Sequence, residues 1–355
     1  MIVTYIYSDR LADQIRIQVR CKNMADAINR TGIHHANLLD LASFIQNTAQ
    51  SKKVCGESDL LVIYRYLYGP VLTAVQYWKA RDKKVVVDFD QAFNFLTEGK
   101  PAYSFWYGGI PLDGFDFEDA AIIDPSPIEQ FKWGLALVDG ATAPSARLVD
   151  DWSRFTNVYK VLDYINTHHY PTSDRAHTNE IWIGPGSRVD YRSFEKSGLL
   201  TAMENVCRAC PHVKLVLFGM EDASAALQIQ SGQRKEYSLC SFENWVDISL
   251  HLDIGLMPVS GEYDLRLSSY DLLEFMISKT PWIASEDMNF QNLSQYGQWV
   301  RNTPEAWENA ILRTIDQLDA HQRKAITEPF LFALNQDISV NIARILKVYD
   351  SIIRY

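Results

Sequence analysis

Three groupings of residues in this sequence have types and spacings that can do chemistry. Asp88 and Asp90 flank Phe89 where the apolar run Val85–Phe89 ends. Two carboxylates so placed can hold a divalent cation, divide nucleophile and acid roles between them, or stand solvated at a strand end. Gly184 and Gly186 follow the apolar run Ile181–Ile183. They suit a loop whose backbone must approach a ligand closely, although the third glycine of a dinucleotide fingerprint is missing. The third grouping lies in 251–285, HLDIGLMPVSGEYDLRLSSYDLLEFMISKTPWIAS. It parses as a strand, Asp253–Met257, a loop, Pro258–Leu267, a helix patterned by Leu272, Leu273 and Met276, and a further strand. Ser268 or Ser269 can cap that helix. Its N-terminus presents unpaired N–H groups and the positive end of the dipole, a physically suitable seat for a phosphate. Glu274, about a turn and a half further in, is too deep to cap the helix and is placed to accept hydrogen bonds from a ribose diol.

The elements that must position these groups recur along the chain. Buried-strand candidates are Ile2–Tyr7, Leu60–Tyr64 and Val85–Phe89, then Ile181–Ile183, Val213–Phe218, Asp253–Met257 and Trp282–Ala284, with helical patterns between them. Continuous apolar runs separated by helices indicate parallel sheets covered on both faces, and here the doubly wound pattern occurs twice. The expected fold class is therefore α/β, two Rossmann-like domains facing across a cleft, with ligands beyond the carboxyl ends of the strands. Boundaries are expected at 1–165 for the first domain, 166–180 for a linker, 181–335 for the second domain and 336–355 for a closing helix that packs back on the first domain. The linker carries Pro171, Thr172, Ser173 and three histidines, without an apolar period. Thr303 and Pro304 open a helix whose apolar face is Trp307, Ala310, Ile311, Ile315 and Leu318.

A length of 355 residues favours two domains over one core. The formal charge of -10 argues against a general grip on nucleic acid or anionic lipid, so an anionic ligand must be held locally. No run approaches the roughly 18 apolar residues of a membrane span, and Ile2–Tyr7 reads as a strand rather than a leader, which makes a cytoplasmic address the default. The five cysteines are odd in number and scattered, fitting reduced thiols. Cys207 and Cys210 form a CxxC without a second pair, and with Leu199, Met203 and Val206 the segment reads better as an apolar helix stripe than as a metal or redox site.

At LLEFMISKTPWIAS, residues 272–285, the sequence resembles the LEAMA-G-PVIAS stretch of the large retaining glycosyltransferase family with the GT-B fold, which includes sucrose synthase and bacterial mannosyltransferases. Matched residue by residue, Glu274 takes the place of the motif's second glutamate, which binds the nucleotide ribose. Arg266 stands where the first glutamate is found, Ser268 matches a serine of the preceding loop, and Leu267 and Asp271 replace two of its lysines. IWIGPGSRVDYRSFEKSGLLTAMENVCRACPHVKLVLFG, residues 181–219, resembles the opening strand, loop, helix and strand of the donor domain, where basic residues neutralise a diphosphate. Arg188 is the first candidate, with Arg192 and Lys196 behind it. VRCKNMADAI, VVVDFDQAFNF, VDGATAPSARLVDDW and NVYKVLDYIN resemble further family stretches in the family's order.

The resemblance implies transfer of a sugar from a nucleoside diphosphate donor, a UDP- or GDP-sugar, to a hydroxyl of a glycan, lipid or small molecule. It implies retention at the anomeric carbon and neither metal nor cofactor. Glu274, Ser268, Ser269, Gly184, Gly186, Arg192, Lys196 and Glu262 are then the donor-binding candidates. Arg188, Asp90 and Arg266 are the catalytic ones, and Asp88 and Arg20, with Lys22, lie on the acceptor side. A lipid-linked acceptor requires peripheral membrane contact. Competing readings make the two aspartates the metal site of the other large glycosyltransferase fold, the nucleophile and acid of a haloacid-type phosphatase, or a solvated strand end. Loss of the first glutamate also admits a catalytically silent nucleotide-sugar-binding subunit. Tyr103, Phe105, Trp106 and Tyr107 fit an acceptor platform or a core edge equally well.

Overall fold

The computed structural model describes residues 1–100, 102–112, 122–171, 179–239, 241–286, 290 and 293–354. The part of the expected linker at 172–178, with Thr172 and Ser173, lies outside the described residues. The chain divides into two compact units, one made of Met1–Tyr164, Arg266–Ser268 and Ile338–Tyr355, the other of Ile165–Leu265 and Ser269–Asp337.

The first unit is built on a six-stranded parallel sheet in the order β2-β1-β3-β4-β5-β6. Its strands are β1 (Ile2–Tyr7), β2 (His35–Asp40), β3 (Leu60–Tyr64), β4 (Lys84–Asp88), β5 (Gly140–Ala143) and β6 (Val158–Lys160). β3 is buried along its whole length, which is why LLVIY carries no polar residue. On one face, Val3, Tyr5, Val62 and Val86 pack with Met24 and Ile28 of the helix Asn23–Arg30 and with Ile338, Ile342, Ile345, Tyr349 and Ile352 of the helix Ile338–Arg354. The Tyr5 and Tyr349 hydroxyls share a buried hydrogen bond of 3.0 Å. Phe105 and Trp106 are buried among Phe93, Phe131 and Tyr66, while Tyr107 stays partly exposed and stacks on Tyr103. The first pair is thus core.

The second unit repeats the design in the order β12-β11-β10-β7-β8-β9, again all parallel. Its strands are β7 (Ile181–Pro185), β8 (Val213–Phe218), β9 (Arg234–Tyr237), β10 (Ile254–Met257), β11 (Trp282–Ser285) and β12 (Gln298–Val300). The helix Pro304–Asp316 begins where expected, because the Thr303 hydroxyl accepts the Ala306 N–H at 3.2 Å and Pro304 needs no donor partner in the first turn. The helix Leu199–Ala209 buries Leu199, Met203, Val206 and Cys207. Burial pushes the Cys207 thiol up to about 11, so the CxxC is protonated apolar packing. Both sheets with helices around them make the doubly wound α/β class. Among the described residues, no helix is long and apolar enough to cross a membrane.

Candidate functional site

In the second unit, β7 and β10 lie side by side and end at one edge of the sheet. The backbone after β7 is tied down where the Gly186 N–H donates to the Leu256 carbonyl at 3.0 Å. After β10 the chain makes a short helix, Gly261–Asp264, inside the segment expected to be loop, and then enters the helix Tyr270–Ile277. Asp264 holds the intervening turn by accepting the Ser260 N–H at 2.8 Å and the Ser193 hydroxyl at 2.5 Å. Ser269 occupies the cap position of the second helix without a side-chain bond, and the polar work at this helix start falls to Asp271 in its first turn.

Asp271 is fully buried. One carboxylate oxygen accepts the Ser187 hydroxyl at 3.0 Å and the Arg188 backbone N–H at 3.3 Å, while the other accepts Nε of Arg188 at 2.5 Å. Gly186 closes over this pair, since a Cβ there would stand 2.7 Å from Cβ of Asp271. Glu274 lies next to it, 1 % exposed. Its Oε1 accepts the Tyr170 hydroxyl at 2.7 Å and the Trp245 indole N–H at 3.1 Å, and its Oε2 accepts the Ser187 hydroxyl at 3.4 Å. Burial and the Glu274 charge push the Tyr170 phenol well up, which keeps it a donor. One cation and two carboxylates therefore share this corner through Ser187.

The other donor-side candidates are spread more widely. Gly184 is a packing glycine, because a Cβ there would meet Leu252 at 2.9 Å and Val216 at 3.1 Å. Arg192 is half-buried and Lys196 exposed, both on the six-residue helix Tyr191–Lys196, and Glu262 is exposed on the turn Gly261–Asp264. Arg266 and Ser268 belong to the first unit. There the Arg266 guanidinium forks onto Asp151 at 2.5 and 3.2 Å and lies 3.5 Å over the Phe95 ring, and the Ser268 hydroxyl donates to Asp163.

The carboxyl ends of β3 and β4 in the first unit carry a second constellation. Arg20 sits on a π-helical turn, Gln18–Lys22, a backbone form associated with functional sites. Its guanidinium forks onto both oxygens of Asp88, with Nε at 2.9 Å, and reaches Asp163 and the Val161 carbonyl at 2.8 Å each. Thr142 donates to the same Asp88 at 2.5 Å. Arg65, immediately after β3, has a left-handed backbone at φ 63°. It holds Asp90 at 2.8 and 3.0 Å and Asp13 at 2.6 Å, with the Tyr64 and Tyr66 hydroxyls completing the shell. Asp88, Asp90, Arg20 and Arg65 are all nearly inaccessible, so the solvated-strand-end reading of the two aspartates is corrected. They diverge in acidity. Burial pushes Asp88 up in spite of Arg20, whereas for Asp90 the same burial is outweighed by Arg65 and Arg16, which hold it below the usual carboxylate range. Among the described residues, no three His, Cys, Asp or Glu side chains are grouped to hold a metal ion.

Asp13, Arg16, Arg65, Asp163, Tyr170, Ser187 and Trp245 were not candidates from sequence. Their partners lie tens of residues away along the chain, and the one local cue is an arginine directly after the wholly apolar β3.

No protein-family model matches the sequence, and no curated protein matches it in sequence. Solved structures do match. Sucrose-phosphate synthase from Thermosynechococcus elongatus is 12% identical with a TM-score of 0.67, over 99% of this chain and 98% of that one. A putative UDP-N-acetylglucosamine 2-epimerase from Listeria monocytogenes is 10% identical with a TM-score of 0.58, over 99% and 96%. The S. aureus MnaA–UDP co-structure is 11% identical with a TM-score of 0.53, over 100% and 98%. The chain shares with them the GT-B fold of two Rossmann-like units.

Proposed function

We propose that this chain is a glycosyltransferase of the hexosyl-transferring kind, moving a sugar from a nucleoside diphosphate sugar to a hydroxyl of a glycan, lipid or small molecule. The observation that carries this reading is the Ser187–Arg188–Asp271–Glu274 corner at the carboxyl ends of β7 and β10. There a buried carboxylate suited to a ribose and a guanidinium suited to a phosphate are linked through Ser187 and Asp271. Ligands of open parallel sheets bind at that edge. A departing nucleoside diphosphate leaves negative charge on its phosphate oxygens, and a preorganised guanidinium stabilises that charge as it develops. Arg188 fills this role without a metal ion, and the resemblance at 272–285 favours retention at the anomeric carbon. The likeness in fold to sucrose-phosphate synthase and to a UDP-bound protein supports a nucleotide-sugar donor.

A thermal-shift screen of UDP- and GDP-sugars is the first test. A ligand at ~100 times its dissociation constant stabilises the folded chain by roughly 2.7 kcal/mol, a readily visible shift. Stabilisation by a dinucleotide alone overturns the assignment. Arg188→Ala is expected to depress turnover more than ground-state binding, and wild-type turnover in that variant counts equally against it.

One observation favours a second reading, a nucleotide-sugar-binding subunit without its own turnover. Arg266, a cation at the place of the motif's first glutamate, is bound to Asp151 in the first unit. Release of free nucleoside diphosphate by the purified chain, given donor and acceptor, separates the two readings.

A further inference from the structure

Asp271 occupies the position a phosphate is expected to take. A backbone amide, a hydroxyl and a guanidinium converge on its carboxylate at 3.3, 3.0 and 2.5 Å, and these are the donors that a phosphate oxygen draws to itself at a helix start. The residue is fully buried, and the Gly186 backbone is pressed against it so closely that no side chain fits between. We infer that Asp271 is a resident counter-anion that sets the charge this site accepts. A donor phosphate gains the Arg188 Nε and the Arg188 amide only by taking them from Asp271. It must then sit beside the released carboxylate and beside Glu274, which shares Ser187 with it.

This inference rests on the reading of the corner as the seat of the donor diphosphate, and it makes a separate statement about specificity. In the wild-type protein affinity comes mainly from the nucleoside and the sugar, and the diphosphate adds little. The residue is a specificity determinant, and Asp271→Asn converts the site into one that rewards negative charge. The amide keeps the shape and an oxygen for Ser187 and the Arg188 N–H, while leaving Arg188 available to an incoming phosphate.

The experiment is an affinity ladder measured by calorimetry on the full chain, with uridine, UMP and UDP, and with guanosine, GMP and GDP. For the wild type, the preferred series is expected to tighten less than about tenfold from nucleoside to diphosphate. Asp271→Asn is expected to bind the diphosphate about tenfold more tightly than wild type, equivalent to about 1.4 kcal/mol, with the nucleoside unchanged. A wild-type ladder rising by more than about tenfold overturns the inference, as does an Asp271→Asn protein that binds the diphosphate no better than wild type. If the variant does not fold, the wild-type ladder decides alone. Absence of binding by every member of both series overturns the donor-site reading itself, and the inference with it.

Discussion

Replacing Arg20 by methionine tests whether the constellation at the ends of β3 and β4 is held by ion pairing. The guanidinium is 1% exposed and bonds to Asp88, Asp163 and the Val161 carbonyl. Methionine fills much of the volume but leaves two buried carboxylates, at 3% and 5% exposure, without their cation. Breaking a buried pair by removing one partner costs about 3–5 kcal/mol. At roughly 2–4 °C per kcal/mol for a unit of this size, the melting temperature should fall by about 10 °C. The deficit should also depend on pH. Burial already places the Asp88 carboxyl above its ordinary value, so the folded state holds a proton that the unfolded state gives up. The stability linked to that proton is fully present below about pH 4, the unfolded value, and is lost as pH rises through the folded one. Removing Arg20 moves the folded value further up, so the variant should lose most above neutrality and recover part of the loss near pH 5. Asp90 has the opposite sign, since its carboxyl is held low by Arg65 and Arg16 and its contribution is lost as the solution is acidified through that folded value. Circular-dichroism melts at pH 5 and pH 8, at fixed ionic strength, decide the matter. A fall of less than about 3 °C at pH 8, or an equal deficit at both pH values, refutes this account of the network.

Three further outcomes follow from the second unit. Glu274→Gln should weaken nucleotide binding about 10- to 100-fold, the scale of charge-assisted hydrogen bonds, and calorimetry that finds wild-type affinity would remove Glu274 from the site. Tyr170→Phe deletes the 2.7 Å bond to that carboxylate and should cost about 1 kcal/mol of stability in a denaturant titration, with no cost expected if the bond is idle. Gly186→Ala drives a methyl into Asp271 and should destabilise by about 1–3 kcal/mol, whereas Gly232→Ala, with open space around its Cα, should be nearly neutral.

Runs that are mostly apolar were legible in the sequence, because a strand buried on both faces carries few polar side chains. Ile2–Tyr7, Leu60–Tyr64 and Val213–Phe218 coincide with β1, β3 and β8 to the residue. The strands that escaped notice are the outer ones and β5. β2 reads HANLLD with three exposed residues, β6 and β12 are three residues long, and β5 is GATA, whose small side chains give no hydrophobic signal. Expected strand limits shifted by a residue where a chemically active side chain sits. β4 runs Lys84–Asp88 rather than Val85–Phe89, and the Phe89 N–H closes its ladder on the Thr142 carbonyl at 3.0 Å. Glu274, Arg188 and Gly186 were candidates from the sequence, and in the fold Ser187 and Asp271 link them across more than 80 residues of chain. What Asp271 does could not be read from the sequence, since an aspartate in a first helical turn looks like an ordinary favourable charge until Arg188 is seen to close on it from another loop.

The first unit is assembled from three separate stretches of chain, with Ile338–Arg354 supplying a wall of its core after the whole of the second unit has been passed. During synthesis the β1 face therefore waits, its apolar side chains uncovered, until Ile338–Arg354 has left the ribosome. No contiguous fragment cut between the units contains a finished first core. The two halves of this protein can be studied apart only by rejoining Ile338–Arg354 to Met1–Tyr164 through a new linker.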